Sequence, residues 1–110
     1  LNYDYTTIYA AGGTGPGRLT DNGASQAQSC SLGASGYGGG GKIIITDYVN
    51  TNLYKTESSA CSAGGPGSDY AWNFSSEGIW HNTATITSIT LSPEGTNFAV
   101  GDTVSIYGTN

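Results

Sequence analysis

The chain predicts an all-β fold: an antiparallel β-sandwich, jelly-roll-like, of about seven or eight short strands joined by Gly/Pro-rich loops. Three observations carry that expectation. Glycine supplies 18 of the 110 residues and methionine none, while Leu, Ala, Lys and Glu nowhere cluster at helical spacing. Short runs of β-branched and aromatic residues recur along the chain, several alternating with polar ones. Between them stand Gly-Pro, Asn-Gly and Pro-Glu-Gly clusters of the kind that close turns. At this length, residues 1–110 are expected to form a single domain with one modest core.

Leu1 to Ala11 alternates, with Tyr3, Tyr5 and Tyr9 on one side and Asp4, Thr6 and Ile8 on the other, which predicts a strand with a tyrosine-lined face. Gly12 to Gly17 contains Pro16 among glycines and is expected to be a loop outside any sheet. Asp21-Asn22-Gly23 is expected to turn. Gly38 to Gly41 predicts a flexible loop or a close backbone approach.

Lys42 to Val49 is the strongest strand pattern, its Ile-Ile-Ile run short enough to be buried on both faces. After a turn at Asn50-Thr51-Asn52, Leu53 to Ser59 alternates back, so the two should pair as a hairpin. Gly64-Gly65-Pro66-Gly67 predicts another loop, and Tyr70 to Phe74 a strand with Tyr70, Trp72 and Phe74 sharing one face. The closing segment predicts further strands at Thr85 to Leu91, around Phe98 and Val100, and at Val104 and Ile106, with Ser92 to Gly95 turning between them.

Charge narrows the partners. Only 10% of residues are charged, the formal net charge is −5, and the three basic residues, Arg18, Lys42 and Lys55, lie far apart. Nucleic-acid binding requires clustered Lys and Arg to neutralise phosphates, so no nucleic acid is expected. No run approaches the roughly 18 apolar residues of a membrane span, and no basic-then-apolar leader opens the chain, so no membrane insertion is expected. A surface of Ser, Thr, Asn and Gly points to a virion or extracellular location. The chain opens on Leu1 without Met, which fits either a mature product or a piece of a longer protein.

Residues able to do chemistry are few and scattered. Cys30 and Cys61 belong to no CxxC or Cys/His cluster, and a disulfide between them and two small buried thiols are both compatible with the sequence. The one histidine, His81, follows Trp80 without a GxSxG elbow or a triad pattern, and reads as hydrogen-bonded at a strand end. The eight acids form no calcium-loop motif. The four-glycine run lacks the Lys-Ser/Thr and following helix of a phosphate loop. No catalytic, cofactor-binding or metal-ligating set is therefore expected, and no cofactor. Two surface functions stay open. Tyr37, Tyr70 and Trp72 could stack on sugar rings, and Asn73-Phe74-Ser75 is a formal N-glycosylation sequon whose Asn73 would face solvent if Trp72 and Phe74 point the other way.

The run from Gly78 to Gly108 adds a likeness. Its Trp80, Asn82, Thr83 and Ala84, the Ile86 to Leu91 strand, Asn97-Phe98 and the closing Ile106-Tyr107-Gly108 resemble the C-terminal end of small β-sandwich structural domains in tailed-phage virion proteins, of tail-fibre or capsid-associated type. The likeness covers about a third of the chain, and departs at Asp102 and Thr103 and in ending at Asn110. It implies a virion structural role and brings no catalytic residue with it.

The expected function is accordingly non-enzymatic: a virion structural module, such as a tail-fibre, decoration or capsid-associated part, that works by self-assembly with other copies of itself or other virion or fibre proteins. Two alternatives differ in class. One is a non-viral extracellular filament subunit completed by strand exchange between protomers. The other is a carbohydrate-binding tip module that recognises cell-surface glycan.

Overall fold

The computed structural model describes residues 3–11, 14–24, 38–65, 71–93, 97–98 and 100–108. Among them, five strands form one antiparallel sheet and there is no helix. The strands are β1 (Tyr3–Ala11), β2 (Thr14–Ala24), β3 (Gly38–Thr46), β4 (Lys55–Gly64) and β5 (Ala71–Trp80), in the spatial order β2-β1-β5-β4-β3. β5 thus sits in the middle, between the β1–β2 and β3–β4 hairpins, and β2 and β3 are the outermost of the described strands.

The tyrosine-faced first strand is present, and it pairs with β5 through an unbroken register from Tyr3↔Trp80 to Ala11↔Trp72. Its pairing with β2 corrects two expectations. Thr14 to Gly17 lies inside β2 rather than in a loop; Gly12 and Gly13 lie outside the described residues. Proline is tolerated there because β2 is an edge strand, and because the register slips between Tyr9↔Gly17 and Ala11↔Thr14, so the ladder skips the prolyl nitrogen. Likewise Asp21-Asn22-Gly23 is not a turn but part of β2. Gly23, at φ 76°, is the extra residue of a bulge, and its N–H donates to Asp4 Oδ1 at 2.7 Å.

The β3–β4 hairpin is present with shifted ends. β3 stops at Thr46, where Thr46 and Thr56 are paired in register and share a hydroxyl hydrogen bond of 2.5 Å. The reversal begins at Asp47, which has φ 55°, and Asn50 N–H donates to the Asp47 carbonyl at 2.9 Å. Asn50 Oδ1 in turn accepts Asn52 N–H at 2.8 Å, the side-chain turn that makes Asn a turn residue. The four glycines are not a flexible loop: they open β3, paired from Gly38↔Gly64 to Gly41↔Cys61. The close-approach half of that expectation is met at Gly39, where an added Cβ would stand 2.7 Å from the Ser62 carbonyl oxygen.

The isoleucine run was expected to be buried on both faces, and it is not. Ile43 and Ile44 are 38% and 43% exposed, because β3 is an edge and the described residues place no second layer over it. Burial instead marks one face of the interior strands. On β4, Lys55, Glu57, Ser59, Cys61 and Ala63 are buried, while the residues between them are exposed or half-buried. The same face carries Thr7 of β1 and Ser76 and Gly78 of β5. Thr7 Oγ1 and Ser76 Oγ hydrogen-bond at 3.0 Å across that pair. The buried centre is therefore small and mostly polar, and Cys61 and Ala63 are its only buried apolar side chains among the described residues.

Lys55 is the largest side chain in that centre and is 1% exposed. Its ammonium donates to the carbonyls of Asn50, of Leu53 at 3.1 Å and of Thr83 at 2.8 Å. A buried cation is tolerated only when its charge is met in this way, and these contacts tie the β3–β4 turn to the chain leaving β5. Beyond β5 the strand expectations are corrected: residues 85–93 and 100–108 carry no strand pairing. Their one cross-link of backbone to backbone among the described residues is Ile86 N–H to the Tyr48 carbonyl, 2.9 Å.

Candidate interaction surface

Period-two alternation gives the sheet two unlike faces. The face that holds the buried centre also carries the large rings. Tyr3 stacks on Trp80 with centroids 6.3 Å apart, at one end of the β1–β5 pair. At the other end Tyr9 stacks on Phe74 at 6.1 Å, and Phe74 on Trp72 at 6.0 Å with planes 9° apart. Gly17 opposite Tyr9 makes room for this arrangement, since a Cβ there would lie 2.2 Å from the tyrosine ring. Trp72 remains 39% exposed at the end of the row.

The opposite face is open. Its side chains include Thr56, Ala60 and Ser62 of β4, Asn73, Ser75, Glu77 and Ile79 of β5, and Ile8 of β1, all exposed. Asp4, Thr6, Thr56, Glu77 and Ile79 border a shallow depression of about 340 Å³ on it. At its rim His81 Nε2 lies 3.0 Å from Asp4 Oδ2, and the imidazole stacks on Tyr54 at 5.2 Å. Asp4 therefore serves two partners at once, the bulge N–H of Gly23 and the histidine. His81 sits just past the end of β5, paired with the Asp4 carboxylate. Its acidic partner comes from the other end of the chain, which no local pattern could reveal.

Large apolar side chains are exposed elsewhere too: Ile43 and Ile44 on β3, and Ile89, Leu91, Phe98, Val100, Val104, Ile106 and Tyr107 along the closing segment.

The residues singled out from sequence separate as follows. Trp72 shares the ring-bearing face with Phe74, as the alternation predicts, whereas Tyr37 and Tyr70 lie outside the described residues. Asn73 and Ser75 point to the open face and are exposed. Cys61 is buried on β4, and Cys30 lies outside the described residues. Among the described residues no three His, Cys, Asp or Glu side chains are grouped to hold a metal ion, and no helix is long and apolar enough to cross a membrane. Sequence reasoning missed Lys55 and Glu57. Their place in the alternation of β4 puts them on the buried face, although charged residues are usually outside. Gly78 gives Glu57 its space, since a Cβ there would be 3.1 Å from the Oε2 atom.

No protein-family model, curated protein sequence or solved structure matches the chain.

Proposed function

We propose that the protein is a non-enzymatic structural module that works by self-assembly, of the kind found in tailed-phage virions as tail-fibre, decoration or capsid-associated parts. The observation that carries the assembly half of this reading is the set of large apolar side chains left exposed on β3 and along the closing segment, Ile43, Ile44, Ile89, Leu91, Val104 and Ile106 among them. Large exposed apolar patches mark protein–protein contact sites. The likeness of the run from Trp80 to Gly108 to phage structural domains supports the virion half. In this reading the observed sheet is one layer of a jelly-roll-like sandwich, and the remaining strands come from assembly.

Sedimentation velocity and electron microscopy of the purified chain test the assembly half. The expected result is concentration-dependent oligomers, and a monomer at every concentration would refute it. Mass spectrometry of purified phage particles tests the virion half, with peptides of this chain expected in stoichiometric amount. Oligomers from a chain absent from any particle would instead favour a non-viral extracellular filament subunit.

A second reading is favoured by one observation, the row of stacked rings Tyr9, Phe74 and Trp72 with its exposed end at Trp72. Flat aromatic faces bind the C–H faces of pyranose rings, so a carbohydrate-binding tip module on cell-surface glycan fits this end of the sheet. A glycan array carries the test: binding lost in Trp72→Ala supports it, and a blank array removes it.

A further inference from the structure

We propose that Asn22-Gly23 is a site of spontaneous succinimide formation, and that the Asp4 carboxylate holds this modification in check. Asn22-Gly23 is the one Asn-Gly pair of the chain. Glycine in second place favours the reaction most, because no Cβ hinders its backbone nitrogen from approaching the preceding side chain. That nitrogen, having lost its proton, attacks Cγ of Asn22. The bond from Cγ to the side-chain nitrogen breaks, ammonia leaves, and a five-membered imide remains. Water then opens the ring at either carbonyl, leaving aspartate or isoaspartate at position 22.

The fold places a guard on the attacking atom. Gly23 is the extra residue between the pairs Asp4↔Asn22 and Tyr3↔Ala24, so it has no partner of its own in the β1 register. Its φ of 76° is one that glycine adopts without strain. A side chain fixes its N–H instead, which donates to Asp4 Oδ1 at 2.7 Å, the length of a charge-assisted bond. An N–H held in this way neither loses its proton nor turns toward Asn22 until the bond opens. Asp4 is itself held: its other oxygen, Oδ2, lies 3.0 Å from His81 Nε2, and β1 is paired on both sides, with β2 and β5.

The product undoes the pairing around it. Asn22 and Asp4 are register partners, so the reaction creates a carboxylate at the register position opposite Asp4, and like charges directly opposite destabilise a strand pair. Isoaspartate also routes the backbone through the former side chain and lengthens β2 by one carbon, which shifts the register beyond it. Among the described strands β2 pairs only with β1, so this one event loosens it. The Asp4–Gly23 bond therefore sets how long β2 keeps its register.

The test incubates the full chain at neutral pH and physiological temperature, and follows position 22 by peptide mass spectrometry and isoaspartyl methylation. Conversion in the folded parent should be about tenfold or more slower than in concentrated urea, the factor that one hydrogen bond to a charged group supplies. Asp4→Ala should speed it by a similar factor while circular dichroism shows the sheet intact. Asp4→Asn, which keeps an oxygen for the Gly23 N–H, and His81→Ala, which leaves that bond in place, should both stay within about threefold of the parent. Where Asp4→Ala does not fold, Asp4→Glu, whose longer stem carries the carboxylate past the bulge, is read in the same way. Equal rates in the folded parent and the position-4 variant overturn the guard. Conversion that in urea runs faster at another asparagine than at Asn22 overturns the site.

Discussion

Replacing Lys55 by Met should destabilise the fold by about 2 to 4 kcal/mol. The methionine keeps most of the buried stem, so packing on β4 changes little, and what is lost is the ammonium and its three carbonyl partners, Asn50, Leu53 and Thr83. Hydrogen bonds to a charged group each contribute roughly 1.5 to 3 kcal/mol. Against their sum stands the desolvation of a cation that is 1% exposed, which the substitution relieves and which costs several kcal/mol. The net is a fraction of the gross, and its sign is set by three carbonyls left facing a thioether. Urea unfolding at one fixed protein concentration measures it, because association would otherwise move the midpoint. With a slope of about 1.5 kcal/mol per molar for a chain of this size, the midpoint should fall by more than about 1 M. Hydrogen exchange adds a local readout: protection at Asn50 and Ile86, whose N–H groups donate to Asp47 and Tyr48, should drop more than protection within β1. A Lys55→Met protein within about 0.5 kcal/mol of the parent, with unchanged exchange at both positions, would refute the idea that this ammonium ties the hairpin turn to the closing segment.

Other substitutions separate geometry from composition. Within the four-glycine run, Gly39→Ala should cost about 1 to 3 kcal/mol, because its Cβ meets the Ser62 backbone oxygen at 2.7 Å, whereas Gly40→Ala, with nothing within 4 Å, should stay within about 0.5 kcal/mol; equal effects in thermal unfolding would contradict the β3–β4 register. Asp4→Ala should be more costly than His81→Ala, since the carboxylate also holds the Gly23 bulge N–H, and the half-exposed ion pair alone contributes at most about 1 kcal/mol. Denaturation midpoints in the reverse order would sink that assignment. Gly17→Val should displace the Tyr9 ring from Phe74 and cost about 0.5 to 1.5 kcal/mol from the lost stack. A double-mutant cycle with Phe74→Leu reads the coupling, which should vanish in the Gly17→Val background.

The function is least constrained where the described surface is most polar. The open face offers threonine, serine and a few separated isoleucines, which suit a solvated exterior as well as a contact. The β3 strand and the closing segment differ in exposing several large apolar side chains.

The sequence by itself determined the class and the faces. Glycine abundance and β-branched runs excluded helix, and period-two spacing put Tyr3, Tyr5 and Tyr9 on one side of β1 and Trp72 with Phe74 on one side of β5. The hairpin of Lys42 to Val49 with Leu53 to Ser59 was legible because its two patterns flank an Asn-rich turn. Whether a strand lies at an edge or in the interior is not a local property. It depends on strand order, and it decided that Ile43 and Ile44 of β3 are exposed, that Pro16 fits within β2, and that residues 85–93 and 100–108, strand-like in pattern, pair with none of the described strands. Lys55 and His81 were misjudged or only half read for the same reason: their carbonyl and carboxylate partners come from distant parts of the chain, including Thr83 and Asp4. Local spacing fixes which way a side chain points, but only the tertiary arrangement decides what it meets.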